Sequence, residues 1–190
     1  MSPEIDLSFV RDLPLTRAAI TFAREHHGSQ RRDADGAAFL VHPLEVASLL
    51  ERTEYPDHVV AAAVLHDVLE DTAAEREDLE TRFGPEVAEL VALVSDDPEI
   101  EDEEAQKQDV RERVRRAGGY APAVYAADKV SKVRELRMLI ASGRDRQTVE
   151  TKLRRQRESL EMVEQAMPGS PVTELLRFEL EALERLPPQR

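Results

Sequence analysis

Residues 57–71 read DHVVAAAVLHDVLED. Val59, Val60, Ala61, Ala62, Ala63, Val64, Leu65, Val68 and Leu69 make this segment apolar almost all the way round. A helix of that composition is normally buried. Pro56-Asp57 opens it and Thr72 ends it. Its C-terminal end nevertheless carries His66, Asp67, Glu70 and Asp71. On one continuous helix Glu70 lies four residues beyond His66 and three beyond Asp67, so these side chains share a face with Asp71 beside them. Burying three carboxylates together is costly unless something positive compensates, and a divalent cation would do that. A helix end that simply reaches solvent would carry the same residues, so the segment alone leaves both readings open.

Helical spacing continues on either side. Ala18, Ala19, Phe22 and Ala23 give 15–27 an apolar stripe, and the polar run 28–36 reads as a loop. Pro43 suits the first turn of a helix that continues through Leu44, Val46, Ala47, Leu49 and Leu50. Helices are predicted over 75–83 and 86–94, separated by Gly84-Pro85, and over 105–117, ended by Gly118-Gly119. The acidic run 95–104 (SDDPEIEDEE) reads as a mobile, solvated loop. A long amphipathic helix spans 120–141, a charged one 147–167 and a last one 172–186. No stretch alternates as a strand would. The expected fold class is all-α, a helical bundle over 1–143 with a C-terminal helical hairpin over 144–190 packed on it.

The bulk numbers narrow the function. A chain of 190 residues can bury a real core. With no Cys, disulfides and thiolate metal sites are excluded, and any metal must sit on His and carboxylate ligands. The start, MSPEIDLSFVRDLP, does not read as a signal peptide, and no apolar run approaches a membrane span. The expectation is therefore a cytoplasmic protein with no membrane partner. A net charge of −13 argues against a nucleic-acid partner. It still allows a small anionic substrate, because a bound cation and a few arginines can reverse the field inside one pocket.

Two more residues complete a candidate metal site. His42 precedes Pro43 at a helix start, after Phe39-Leu40-Val41, and Asp128 sits inside the long amphipathic helix, where a carboxylate needs a partner. Together His42, His66, Asp67 and Asp128 would offer two imidazoles and two carboxylates, a donor set suited to Mn²⁺, Fe²⁺, Zn²⁺ or Mg²⁺. His26, His27 and His58 read as structural histidines.

In that order these residues match H…HD…D, and the chain resembles the HD superfamily of metal-dependent phosphohydrolases. Within it, the chain is similar to the hydrolase domain of the Rel/Spo alarmone enzymes and to the small alarmone hydrolases that lack a synthetase domain. The stretches that carry the likeness are HGSQRR (27–32), GAAFLVHPLEV (36–46), LHDVLEDT (65–72), FGPEVAEL (83–90) and AADKVSKVR (126–134). The resemblance implies an HD-domain bundle that holds a divalent metal, Mn²⁺, through His42, His66, Asp67 and Asp128. It implies that Glu70 and Asp71 position or deprotonate the attacking water, and that Arg31 and Arg32 meet the substrate's phosphates or base. A metal lowers the pKa of bound water and polarises a phosphoryl oxygen, and a nearby carboxylate can take the proton. The implied reaction is hydrolysis of guanosine 3′,5′-bis(diphosphate) to GDP and pyrophosphate.

The chain departs from the family pattern in three places. Where the pattern reads LADRLHNMR, Lys129, Ser131 and Lys132 stand for Arg, His and Asn. Lys132 is a point charge with no acceptor, so it cannot replace an amide like for like, although it could hold a phosphate. Ala38-Phe39 stands for Pro-Tyr, which removes a hydroxyl, and Asp33 follows Arg32 where a basic residue is usual. Phe39, Lys129 and Lys132 are accordingly candidate substrate-binding residues. Two further functions fit the sequence: an HD phosphatase acting on another nucleotide, and a catalytically weak alarmone-binding or interaction domain.

Overall fold

In the computed structural model, which describes residues 7–185, the regular structure is helical apart from one antiparallel bridge between Arg31 and Ala38. A 3-10 turn (Ser8–Val10) leads into α1 (Pro14–His27), α2 (Val41–Arg52), α3 (Asp57–Leu65), α4 (Val68–Asp71), α5 (Arg76–Phe83), α6 (Pro85–Val94), α7 (Glu103–Ala117), α8 (Ala121–Ala141), α9 (Arg146–Ala166) and α10 (Pro171–Glu184). Leu186, the expected end of the last helix, and the first six residues of the N-terminal reading lie outside the described residues.

α3 is the axle of the fold. Every residue from Val59 to Leu65 is fully buried, and α1, α2, α6 and α8 all pack on it. Each fully buried Val or Leu contributes roughly 1.5–3 kcal/mol, so this contact set fixes where the helix ends. The start of α3 is also pinned. Asp57 accepts hydrogen bonds from the Leu15 and Thr16 amides at 2.9 Å each and from the Thr16 hydroxyl at 2.6 Å. One carboxylate thus caps the orphan N–H groups of α1 and ties two helices together.

The sequence predicts one helix over 57–71, whereas the structure breaks it after Leu65. His66 and Asp67 form a turn, and α4 follows at once. The expected 28–36 loop is a tight turn closed by Arg32 N to Ala37 O and Gly36 N to Arg32 O, both 2.9 Å. α9 and α10 pack against α8 and each other, and their Val163, Val172, Leu176 and Leu180 join the same core as α3. Among the described residues no helix is long and apolar enough to cross a membrane.

Candidate functional site

The break between α3 and α4 builds the site. On a regular helix adjacent residues point about 100° apart, so a neighbouring His and Asp meet only where their side chains bend toward each other. Here Asp67 takes φ −93° and ψ −3°, a sparsely allowed conformation common in active sites. His66 Nε2 and Asp67 Oδ2 consequently come within 3.2 Å. His42, in the first turn of α2, and Asp128, midway along α8, complete the group. His42 Nε2 lies 3.1 Å from His66 Nε2, 3.2 Å from Asp128 Oδ1 and 3.4 Å from Asp67 Oδ2, with His66 Nε2 3.5 Å from Asp128 Oδ1. All four residues are buried.

This arrangement fits a metal ion. Donors about 2.1 Å from one ion lie roughly 3.0–3.4 Å from each other, close to the separations observed. Asp67 Oδ2 and Asp128 Oδ1 are buried with no hydrogen-bond partner, although buried acceptors are normally satisfied. The donor atoms of His42, His66 and Asp128 fall within 4.8 Å of one another, as a shared ion requires. The imidazoles are oriented for the task. His66 Nδ1 is 2.8 Å from the Ala63 carbonyl, which can only accept, so Nδ1 carries a proton and Nε2 is the nitrogen turned into the cluster, where an ion would displace any proton on it.

Electrostatics point the same way. Burial alone would lower the pKa of His66, but the nearby Asp67 and Asp128 carboxylates push it up to about 10. His42 is raised by the same carboxylates against its burial. Burial would raise Asp67, yet His66 and Lys132 hold it well below the usual carboxylate range. For Asp128, Lys129 and the two histidines likewise outweigh burial. The two carboxylates thus favour positive charge beside them, which a bound cation would supply in place of the protons on the histidines.

Two adjoining cavities open beside it. The smaller, about 180 Å³, is lined by His66, Asp67, Glu70, Asp71, Asp128 and Lys132 among others. Glu70 lines it while staying exposed to solvent; desolvation and the Asp67 and Asp96 charges raise its pKa to about 7. Asp71 is raised by desolvation and by Asp67. The larger cavity, about 430 Å³, has basic walls. Arg31 and Arg32 come from the turn after α1, Lys107 and Arg111 from α7, Lys129 and Lys132 from α8, and Arg144, Lys152 and Arg155 from α9 and the turn before it. Lys107, Tyr125, Lys129 and Lys132 line both cavities. A protein with net charge −13 thus concentrates cations in one cleft beside an acidic cluster.

The structure brings the residues singled out from the sequence to this one place, with differences in detail. Lys129 Nζ is 2.6 Å from Asp128 Oδ2 and lies over the Tyr125 ring. Arg32 is ion-paired with Asp35, and its guanidinium lies 3.7 Å from Glu135. Phe39 stacks against His27, with ring centres 4.6 Å apart. His26 stacks on Phe22 and His58 meets Tyr120 edge-on. The 95–104 stretch is not a free loop. Asp96 N donates to Glu70 Oε1 at 2.8 Å, Lys107 holds Asp96, and Arg113 binds the Ala92 and Ser95 carbonyls at 2.7 Å each. Sequence reasoning missed the basic residues of α7 and α9, because charged positions on an amphipathic helix carry no mark of the cavity they line.

Comparison with known proteins gives consistent findings. A model of the HD domain family matches residues 19–169. The chain is 37% identical over 134 residues to guanosine-3′,5′-bis(diphosphate) 3′-pyrophosphohydrolase MESH1 of Danio rerio, covering 69% of this chain and 74% of that protein. It is 43% identical over 77 residues to the GTP pyrophosphokinase rsh of Brucella ovis, covering 40% of this chain but only 10% of that much longer protein. Among solved structures, it superimposes with a TM-score of 0.77 and 27% identity on one described as a metazoan ortholog of SpoT that hydrolyzes ppGpp. The match covers 90% of this chain and 94% of the other.

Proposed function

This chain belongs to the HD domain family, and we propose that it is a metal-dependent phosphohydrolase converting guanosine 3′,5′-bis(diphosphate) and water to GDP and pyrophosphate. The observation that carries the reading is the juxtaposition of a buried His-carboxylate cluster holding two unpartnered oxygens with a basic cleft of about 430 Å³. His42, His66, Asp67 and Asp128 hold the ion, and the mixed imidazole-carboxylate donor set suits Mn²⁺. The bound ion supplies Lewis acidity and a more acidic water.

The remaining steps fall to the chain's own groups. Glu70, with its pKa near 7, accepts the proton of the water that attacks the 3′-linked phosphorus, and Asp71 helps to orient that water. The bond from that phosphorus to the ribose 3′ oxygen breaks, pyrophosphate leaves, and the proton taken up by Glu70 is returned through solvent to the 3′ oxygen to give the hydroxyl of GDP. Lys132, facing Asp67 and Asp128 from α8, lies where the cluster meets the cleft and can hold a phosphoryl oxygen. Lys129 is committed to Asp128 and keeps that carboxylate charged and in place. Arg31, Arg32 and Phe39 line the cleft that takes the nucleotide. α2, α8 and the turn between α3 and α4 supply the metal end, and α9 closes the cleft's far wall. The enzyme acts in the cytoplasm on a small nucleotide, with no nucleic-acid or membrane partner.

Incubation of the purified protein with Mn²⁺ and ppGpp is expected to release GDP and pyrophosphate. Chelation with EDTA, or replacing His66 and Asp67 together by Ala, should abolish release. No product at high enzyme concentration would sink the proposal. A second reading, a phosphatase for a different nucleotide, is favoured by Lys132 and Phe39 standing where the family pattern has Asn and Tyr. A panel of nucleotides assayed for phosphate release separates the two.

A further inference from the structure

Ser131 is fully buried, one turn beyond Asp128 on α8, where the family pattern carries His. Its Oγ is 2.9 Å from His42 Nδ1 and 2.7 Å from Glu45 Oε2. Glu45 in turn receives Arg134 at 2.7 Å, and Arg134 and Arg137 both bind Glu179 of α10 at 2.8 Å. Hydrogen-bond chemistry sets the direction of this chain of contacts. A carboxylate paired with arginine only accepts, so the Ser131 hydroxyl donates its single proton to Glu45. The oxygen is then left to accept from His42, so Nδ1 carries a proton and the lone pair of Nε2 faces the cluster. Glu135 Oε1 also approaches His42 Nδ1, but at 3.4 Å.

From this geometry we infer that Ser131 and Glu45 are positioning residues for the metal centre: through the serine hydroxyl, Glu45 fixes the tautomer of His42 and strengthens it as a ligand. Carboxylates that support a metal-binding histidine usually touch it directly. In this chain a serine is interposed, and the salt-bridged Arg134 and Glu179 anchor the carboxylate to α10. The inference rests on the metal-binding reading of the cluster but not on the identity of the substrate.

The test is the affinity of the purified full chain for Mn²⁺ alone, measured without nucleotide, alongside the melting temperature of the metal-free protein. Removing a supporting partner of this kind typically weakens binding about 10–100-fold, and Ser131→Ala is expected to do the same. Glu45→Gln, which keeps shape but removes charge, should weaken binding by a smaller factor. The double variant should bind no more weakly than Ser131→Ala, because Glu45 acts through Ser131. Affinities within about threefold of the parent in both single variants, or additive losses in the double variant, would overturn the inference. A lower metal-free melting temperature with unchanged Mn²⁺ affinity would also overturn it, since that is the mark of a purely structural contact. Should Ser131→Ala fail to fold, Glu45→Gln decides alone, because Glu45 is half-buried on the surface of α2. A parent chain that binds no divalent ion would bring down the metal reading and this inference together. A parent that binds Mn²⁺ but leaves ppGpp intact would bring down only the substrate.

Discussion

Glu70 accepts a hydrogen bond from the Asp96 amide while facing the charges of Asp67 and Asp96, and its pKa rises to about 7. A carboxyl whose folded pKa exceeds its ordinary value near 4.5 binds more protons folded than unfolded. The charged form therefore costs stability, and the cost grows as pH rises from about 4.5 to about 7. The metal-free Glu70→Gln variant should match the parent's melting temperature near pH 4 and exceed it at pH 8; equal melting temperatures at both would refute the shift. The same substitution should lower kcat by roughly 10²–10⁴-fold and flatten the acidic limb of the rate profile, as loss of a general base does. At this scale the sequence was informative where chemistry is concentrated. His42, His66, Asp67 and Asp128 stood out as polar groups in apolar surroundings, and the structure brings them to one point. Ser131 and Glu45 did not stand out, because a small hydroxyl and a glutamate are ordinary on helices and gain meaning only from a partner 86 residues away.

Between elements, the instructive misreading is the helix predicted over 57–71. LHDVLED contains no Gly or Pro and has good helical propensity, so nothing local marks a stop. The break follows from the tertiary arrangement, in which neighbouring His66 and Asp67 both face His42 and Asp128 from other helices. The contact between α7 and α9 was equally hidden. Arg155 binds Glu103 at 2.6 Å and Glu104 at 2.5 Å, while also lining the basic cleft. Arg155 itself is half-buried, but both of its acidic partners are solvent-exposed, and ion pairs of that kind add little stability. Arg155→Ala is thus expected to change the melting temperature by only a few degrees. It should raise KM for the nucleotide by about tenfold, the worth of one charge-assisted hydrogen bond, with kcat nearly unchanged. A fall in kcat at constant KM in steady-state assays would move Arg155 from binding to the chemical step.

For the whole molecule, the all-α class was legible from periodicity, because nearly every segment carries a 3.6-residue apolar stripe between Gly or Pro breaks. The C-terminal hairpin packed on the bundle was also expected, but which helices meet was not, since the contacts of α9 and α10 with α8 leave no local trace. A cluster that gathers unsatisfied carboxylates inside the core couples ion binding to global stability. At a hundredfold excess over its dissociation constant, a ligand bound only by the folded state adds about 2.7 kcal/mol. For a chain of 190 residues that corresponds to roughly 5–10 °C. Calorimetric melting with and without Mn²⁺ checks this, and a melting temperature indifferent to the ion would deny the cluster its cation. The division of the cleft has a consequence of another kind. Its reactive end hangs from the most deeply packed helix, where almost any substitution disturbs the core, whereas its opposite wall is α9, a helix with a largely polar surface. Variation can therefore rewrite which nucleotide is gripped while the hydrolytic chemistry is inherited intact, so lineages sharing this centre can diverge in diet by redecorating a single helix.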